Sequence, residues 1–403
     1  MNNKNVINHY PLIHSVRNKI NISEQISDDE FYSFIEDICF SMDEYYFLST
    51  EERLNLIEKA FYTLRYEFGI LQPLLSDNTI SEIMINGKDN IFIEKNGRIL
   101  KNNLSFDSVE QLEDIIRKMT AKVRREINEL NPIVDARLLD GSRINAVHKN
   151  IAIDGPVLTI RKFPEKPLTM DSLIEFGTIT EECAEYLKVL VLAGYNIFIS
   201  GGTSSGKTTF LNVLSNFIPK EERVIIIEDS AELQIKQIDN LVRLECRNAN
   251  LQGKGRIVMQ DLIKSSLRMR PDRIIVGEVR GAEVFDMVQA MNTGHDGSLC
   301  TGHGNSIPGI LKRLEAMLLQ VSAFPIDAIR NQLAEGIDII VQMGRLPDKR
   351  RVVLEIAEIS KDIGVNGIEI NTLFKYELNK GLIRTEKKLV NRYKLMLRGY
   401  ELT

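Results

Sequence analysis

The sequence predicts an α/β protein: a parallel sheet wrapped by helices, preceded by a smaller α/β domain and an N-terminal helical segment. Three observations predict it. Short apolar runs at 196–200, 223–227, 273–277, 298–301 and 337–342 alternate with stretches of helical spacing, and that alternation implies crossover connections between parallel strands. A glycine-rich loop, Gly201 to Thr208, follows the first run and opens a helix. A second set of strand-like runs lies between Ile80 and Arg161, ahead of a proline-bearing break.

The N-terminal segment covers residues 1–75. Residues 1–25 are Asn-rich and weakly patterned, and they read as a loose arm. Ser27-Asp28-Asp29-Glu30 has capping-box form, with Phe31, Phe34, Ile35 and Ile38 following at helical spacing. Ser49-Thr50-Glu51-Glu52 repeats the signal before Leu54, Leu56, Ile57, Phe61, Leu64 and Phe68. Two or three amphipathic helices are expected over 28–70, with Gly69 and Pro73 marking their end. Tyr45, Tyr46 and Phe47 read as core or packing surface rather than a ligand box.

The small α/β domain spans 76–162. Ile83 to Gly87 and Ile91 to Glu94 read as strands with an Asn-Gly turn signal between them, and Lys95-Asn96-Gly97-Arg98 as the next turn. A helix is expected over 107–123, then strands over 134–147 and 157–161. Pro164 and Pro167 stiffen Phe163 to Thr169 and bar a helix across it, which makes 163–175 the linker. The main domain runs over 176–360, with an added strand at 351–359. The tail, 361–403, is basic near its end and weakly patterned.

Composition narrows the function classes. A length of 403 residues suits two or three domains, and 43% hydrophobic with 27% charged residues excludes a disordered chain. The net charge of −5 is not that of a basic nucleic-acid binder, which needs cations to neutralise phosphates. Cys39, Cys183, Cys246 and Cys300 are scattered with no CxxC pair, which argues against structural zinc and a disulfide scaffold and fits a reducing compartment. The first ten residues are polar and lack the apolar stretch of a signal peptide. No run approaches the ~18 apolar residues of a membrane span. A soluble chain is expected, with membrane contact only through partners.

Gly201-Gly202-Thr203-Ser204-Ser205-Gly206-Lys207-Thr208 fits G-x-x-x-x-G-K-[ST], between a strand and a helix beginning near Thr209. Small residues let the backbone curl so that successive N–H groups point at phosphate oxygens, and the helix dipole adds to this. Lys207 is placed to contact β- and γ-phosphates, and the Thr208 hydroxyl to hold Mg²⁺. Apolar strands then end in carboxylates twice. Arg223 to Ile227 leads into Glu228, where an attacking water can be oriented, unless that residue only caps the next helix. Ile274 to Val276 leads into Glu278, a Walker-B-type position for Mg²⁺ through water, unless it only pairs with Arg280. Gly-flanked His295 and His303 stand on either side of the strand at 298–301 as candidate γ-phosphate sensors. A zinc site from His295, Asp296 and His303 lacks an evident fourth ligand.

These residues carry a family resemblance from about Ile80 to Phe374. It rests on Ser81 to Gly87, Pro132 to Arg143, Leu158 to Phe163, the phosphate loop, Ile227 to Leu233, Leu267 to Gly281 and Ala290 to His295. The chain resembles the type II/type IV secretion ATPases and, within them, the CpaF-like ATPases of tight-adherence pili. The resemblance implies a RecA-like P-loop core behind a PAS-like domain, ATP hydrolysis with Mg²⁺, and a homohexamer with nucleotide held between the two domains. It puts Glu228 in the Asp box, Glu278 in Walker B, and His295 and His303 in the His box. Arg137 and Arg143 are implied to reach the γ-phosphate, and Arg161 to hold phosphate or adenine. It further implies a cytoplasmic motor on the inner face of the membrane, held by platform proteins of a pilus or secretion apparatus. Gly302 and Gly304 depart from the pattern, which has an apolar residue and Ala at those positions. Two other readings remain on the same core: a nucleic-acid motor for DNA uptake or transfer, and a non-hydrolysing scaffold. The first lacks a basic, aromatic-interleaved stripe; the second is opposed by intact Lys207, Glu228 and Glu278.

Overall fold

The computed structural model describes residues 10–19, 26–95, 97–163, 167–247, 249, 254–364, 367–378 and 380–402. Parts of the expected arm, Asn96 of the second turn and residues 164–166 of the linker lie outside the described residues. Contacts divide the chain into two units, Met1–Glu165 and Lys166–Thr403.

The first unit opens with helices α1 (Tyr10–Lys19), α2 (Asp28–Ser41), α3 (Thr50–Arg65) and the short α4 (Gln72–Ser76). Both capping boxes form: Ser27 Oγ and Ser49 Oγ each accept from the backbone N–H three residues on at 3.3 Å, and Glu30 and Glu52 reach back to the cap N–H at 2.9 Å. The expected loose arm is corrected over Tyr10–Lys19. Leu12, Ile13 and Val16 are buried against Phe31, Ile35, Leu56 and Ile57, so tertiary burial makes a helix of a segment too short to announce itself by periodicity. Of the aromatic trio, Tyr45 is buried and its hydroxyl accepts from Leu12 N at 3.3 Å, whereas Tyr46 and Phe47 are exposed.

A six-stranded sheet follows, built from β1 (Ile80–Asn86), β2 (Ile91–Lys95), β3 (Arg98–Asn102), β4 (Ile133–Arg137), β5 (Arg143–Val147) and β6 (Val157–Arg161), in the order β3-β2-β1-β6-β5-β4. Every neighbouring pair is antiparallel. Helix α5 (Val109–Lys122) packs Leu112, Ile115, Ile116 and Met119 into a core with Ile83, Ile85, Ile144, Leu158 and Ile160. The residues between these positions therefore point to the other face.

The second unit is a nine-stranded sheet: β7 (Ile197–Gly201), β8 (Val224–Glu228), β9 (Leu241–Glu245), β10 (Arg273–Val279), β11 (Leu299–His303), β12 (Ile339–Arg345), β13 (Arg351–Gly364), β14 (Gly367–Glu377) and β15 (Gly381–Arg384). The order is β15-β14-β13-β12-β7-β11-β10-β8-β9. The six strands from β12 to β9 are parallel and the added three are antiparallel. Helices α6 (Met170–Glu175), α7 (Glu181–Leu192), α8 (Lys207–Ser215) and α13 (Tyr393–Arg398) share one core with the sheet. Helices α9 (Met259–Ser266), α10 (Glu283–Asn292), α11 (Ile307–Val321) and α12 (Ile326–Gly336) share another. Ile197 and Ile199 enter the first core and Phe198 the second; burial on both sides is why these strands read as unbroken apolar runs.

Two expectations are corrected here. Helix α6 occupies the end of the stretch expected as linker, started by Thr169, whose Oγ1 accepts from Ser172 N at 3.2 Å. The tail forms β14, β15 and α13, where Leu373, Phe374, Leu382, Leu389 and Leu395 fill the first core at irregular spacing. Among the described residues no helix is long and apolar enough to cross a membrane.

Candidate active site

The carboxyl ends of β7, β11, β10 and β8 lie side by side and bring together Gly201, His303, Glu278 and Glu228. Beyond β7 the chain turns through Gly202 to Gly206, with Ser204 at φ 57° and Gly206 at φ 93°. A Cβ on Gly201 would stand 2.5 Å from Ser205 Oγ and 2.9 Å from Met343 O, so only glycine fits. Helix α8 begins at Lys207 with Gly206 as its cap and no side-chain acceptor on its first N–H groups. Such a terminus offers both donors and dipole to a phosphate. Thr203 and Ser204 are exposed, Ser205 is buried, and Thr208 and Thr209 are half-buried in the first turn.

Lys207 is buried. Its Nζ donates to Gly201 O at 3.1 Å and Gly202 O at 2.9 Å, and lies 3.2 Å from His303 Nδ1. Burial lowers its pKa, with Glu278 opposing. An ammonium group only donates, so Nδ1 of His303 accepts and the proton of the neutral ring stands on Nε2. That nitrogen faces Glu278 Oε1 at 2.6 Å, out of line for a hydrogen bond. Burial, aided by the charge of Lys207, holds the His303 pKa below its ordinary value. Glu278 Oε2 accepts from Arg280 Nε at 3.1 Å and Nη2 at 2.7 Å, so the ion pair with Arg280 exists. Its Oε1 remains buried with no aligned donor, as does Ser205 Oγ. These hard oxygens, with Thr208 at the head of α8, are a donor set that fits magnesium.

Glu228 ends β8 at 3% exposure, and its Oε1 accepts from Glu232 N at 2.7 Å and Leu233 N at 2.9 Å. Burial raises its pKa, with the two N–H bonds opposing. A raised pKa makes a carboxylate a better base, yet this one now caps backbone. Two strand spacings separate β10 from β7 and three separate β8 from it, which places Glu278 and Glu228 ~10 Å and ~14 Å across the edge from Gly201.

His295 is not brought to this edge. It precedes β11 while His303 ends it, and the strand between them spans ~16 Å. Its Nδ1 lies 3.2 Å from Ala290 O at the end of α10, and Ser298 Oγ donates to its carbonyl at 2.8 Å.

In the first unit, Arg137 is directly opposite Arg143, and Arg143 is directly opposite Arg161, which in turn faces Glu82. Three arginines thus form one row across β4, β5 and β6. Like charges placed opposite one another destabilise a sheet. The Arg137 guanidinium lies 5.6 Å from the Phe163 ring centroid. The row was not legible from the sequence, because register decides it.

Sequence reasoning also missed Arg351. Its Nε donates to Ser204 O at 3.1 Å, bracing the phosphate loop from the start of β13. The basic run Lys349-Arg350-Arg351 was the only signal. The cysteines stand apart from this chemistry. Cys39, Cys183 and Cys300 are buried, and burial pushes the Cys246 thiol up to about 11.

The chain is similar to an uncharacterized protein of Methanocaldococcus jannaschii, 43% identical over 256 residues, covering 61% of this chain but 35% of that one. It is 32% identical to the conjugal transfer protein TrbB of Rhizobium radiobacter over 283 residues, covering 69% of this chain and 83% of the relative. The X-ray structure of the Legionella pneumophila ATPase DotB matches with a TM-score of 0.52 at 22% identity, covering 72% of this chain and 80% of that one, which shows a shared RecA-like fold. The model of the type II/IV secretion system protein family matches residues 65–367, most of the chain, and with the phosphate loop, paired carboxylates and histidine assembled on one sheet edge, the chain belongs to that family.

Proposed function

We propose that this chain is a Mg²⁺-dependent ATPase that works as a homohexameric motor for pilus assembly of the tight-adherence type or for secretion, at the cytoplasmic face of the membrane. The observation that carries the reading is Lys207, buried at the head of a helix whose Gly206 cap brings no side-chain acceptor, and held at once by two loop carbonyls and His303. The loop N–H groups and Lys207 hold the β- and γ-phosphates, with Gly201 to Gly206, Thr208 and Thr209 shaping the cradle. Mg²⁺, when bound by Thr208 and through water by Glu278, neutralises charge between the phosphates. Phosphate oxygens compete with the loop carbonyls for Lys207, so ATP binding frees His303 Nδ1 and couples the γ-phosphate to Glu278.

Glu228 orients the attacking water once it leaves its backbone cap; its desolvated carboxylate supports that role. Arg137 and Arg143 supply charge that the γ-phosphate gains only in the closed state, and Arg161 holds phosphate or base. Positioning and electrostatics of this kind carry most of phosphoryl transfer. His295 stands at the other end of β11 from Lys207 and His303. The partners are other copies of the chain and platform proteins of the inner membrane, with no direct nucleic acid.

Measuring ATP turnover of Lys207→Ala tests the reading. Loss of roughly 10²–10³-fold is expected, and wild-type turnover in the variant would remove the enzyme. The likeness to a conjugal transfer protein gives the rival reading its one observation. Turnover stimulated by single-stranded DNA would move the function to a nucleic-acid motor.

A further inference from the structure

Two exposed apolar patches lie far apart in the sequence and carry opposite charge. The first is the turn between α2 and α3. Phe47 is 92% exposed and Tyr46 75%, with ring centroids 5.7 Å apart and edge to face. Arg53 braces this turn, donating through Nε to Tyr45 O at 3.0 Å and through Nη2 to Tyr46 O at 2.6 Å. Its guanidinium also lies 5.3 Å from the centroid of the exposed Phe40. The rings are thus presented by a fixed turn. Exposed Asp43, Glu44 and Glu51 rim it, and ten acidic residues against Arg53 alone lie between 28 and 58.

The second patch is the tail. Leu389 and Leu395 are buried and anchor it. Lys394 binds Asp338 at 2.7 Å and Asp296 at 2.6 Å. Tyr393, Met396 and Leu397, at i, i+3 and i+4, share the outward side of α13 and are exposed, as is Val390 before them. Exposed Lys387, Lys388 and Arg392 surround them.

We propose that the tail patch of one copy packs on the α2–α3 turn of a second copy of this chain. Exposed apolar clusters of this kind mark interaction sites, and opposite rims select each other while like rims repel. One chain supplies both halves, so a second copy is a complete partner. Two different faces meet, which makes the contact head-to-tail, the kind that forms a ring when the rotation between copies closes and a filament when it does not. Lys394 also ties the tail to Asp296 in the loop that starts β11, and β11 ends at His303 beside Lys207. A neighbour seated on α13 is thereby linked, through Lys394 and Asp296, to the strand that carries His303. The ring rests on the hexamer proposed above, whereas the pairing of faces is read by association and needs no turnover.

Sedimentation velocity of the full chain at low salt tests the pairing with Asp43→Lys/Glu44→Lys, with Lys387→Glu/Lys388→Glu, and with all four changes combined. Each reversal is expected to weaken association roughly 10-fold or more, and the combination to recover most of it. Phe47→Ser, which leaves the charge alone, should weaken it too. Wild-type association in both reversals overturns the proposal, and so does a four-site variant no better than either reversal. Flotation on phosphatidylglycerol vesicles separates a lipid surface: if Lys387→Glu/Lys388→Glu abolishes flotation with self-association intact, the tail is a membrane contact and the proposal fails. ATP turnover of the same samples reports separately on the enzyme, because none of these side chains belongs to the phosphate site.

Discussion

Glu228 combines two properties that conflict at neutral pH: a charge and near-complete burial. Its pKa is raised because desolvation outweighs the two N–H bonds to Oε1. A glutamine keeps an acceptor for both bonds and has no charge to desolvate. Glu228→Gln is therefore expected to bind ATP, to lose hydrolysis by roughly 10²-fold or more, and to melt above the wild type at neutral pH. The sign follows from linkage. Below the ordinary glutamate value near 4.5 both states of the wild type hold the proton, and the melting difference closes. As pH rises from there through the raised native value, the wild type loses stability and the variant does not. Thermal melts across this range, beside ATPase assays, check it; normal hydrolysis in the variant would leave Glu228 as a backbone cap only.

At the scale of elements, β11 explains where this chain departs from the pattern it resembles. A Cβ on Gly302 would stand 2.6 Å from Phe198 Cζ, and one on Gly304 2.5 Å from Ser200 Oγ and 2.7 Å from Ile310 Cβ. The space that a side chain at 302 would fill is taken by a phenylalanine from the neighbouring strand β7. Gly302→Ala should destabilise the second unit by ~1–3 kcal/mol through overpacking, and adding Phe198→Leu should return most of it. Denaturant unfolding of the two single variants and the double decides it; additive losses would mean that the ring is not the obstacle. This pairing was hidden in the sequence because residues 198 and 302 meet only through the strand order. What the sequence did disclose was local. Capping boxes at Ser27 and Ser49, the phosphate loop and the apolar strands ending at Glu228 and Glu278 each write their signal within a few residues. The edge strand β9, with its alternating Leu-Val-Arg-Leu-Glu, was passed over because five residues give little periodicity. The tail strands were missed because their buried residues follow the sheet's needs rather than a regular spacing. His295 and His303 looked like a pair in the sequence, and a strand's length separates them.

At the scale of the molecule, the row of Arg137, Arg143 and Arg161 gathers three positive charges on one face of the first unit, with Glu82 opposite Arg161 at its end. All three stand at the same level of adjacent strands, on the face that α5 does not cover. Such a concentration of positive charge gains most from a partner that arrives highly charged and leaves. Nucleoside triphosphate in turnover is that partner under the function proposed above. An arginine that meets its charge only when the site closes contributes to the transition state more than to binding. Arg143→Ala, at the centre of the row, is thus expected to lower turnover by roughly 10²-fold while ATP affinity changes by only a few fold. Turnover per chain should also rise with protein concentration, because a ring assembles by mass action. Steady-state kinetics with an independent binding measurement separates the terms. If Arg143→Ala weakens binding and leaves the maximal rate alone, the row only holds nucleotide. If specific activity is the same at every concentration while the chain sediments as a monomer, each copy hydrolyses alone, and the charge row must be explained without a neighbour.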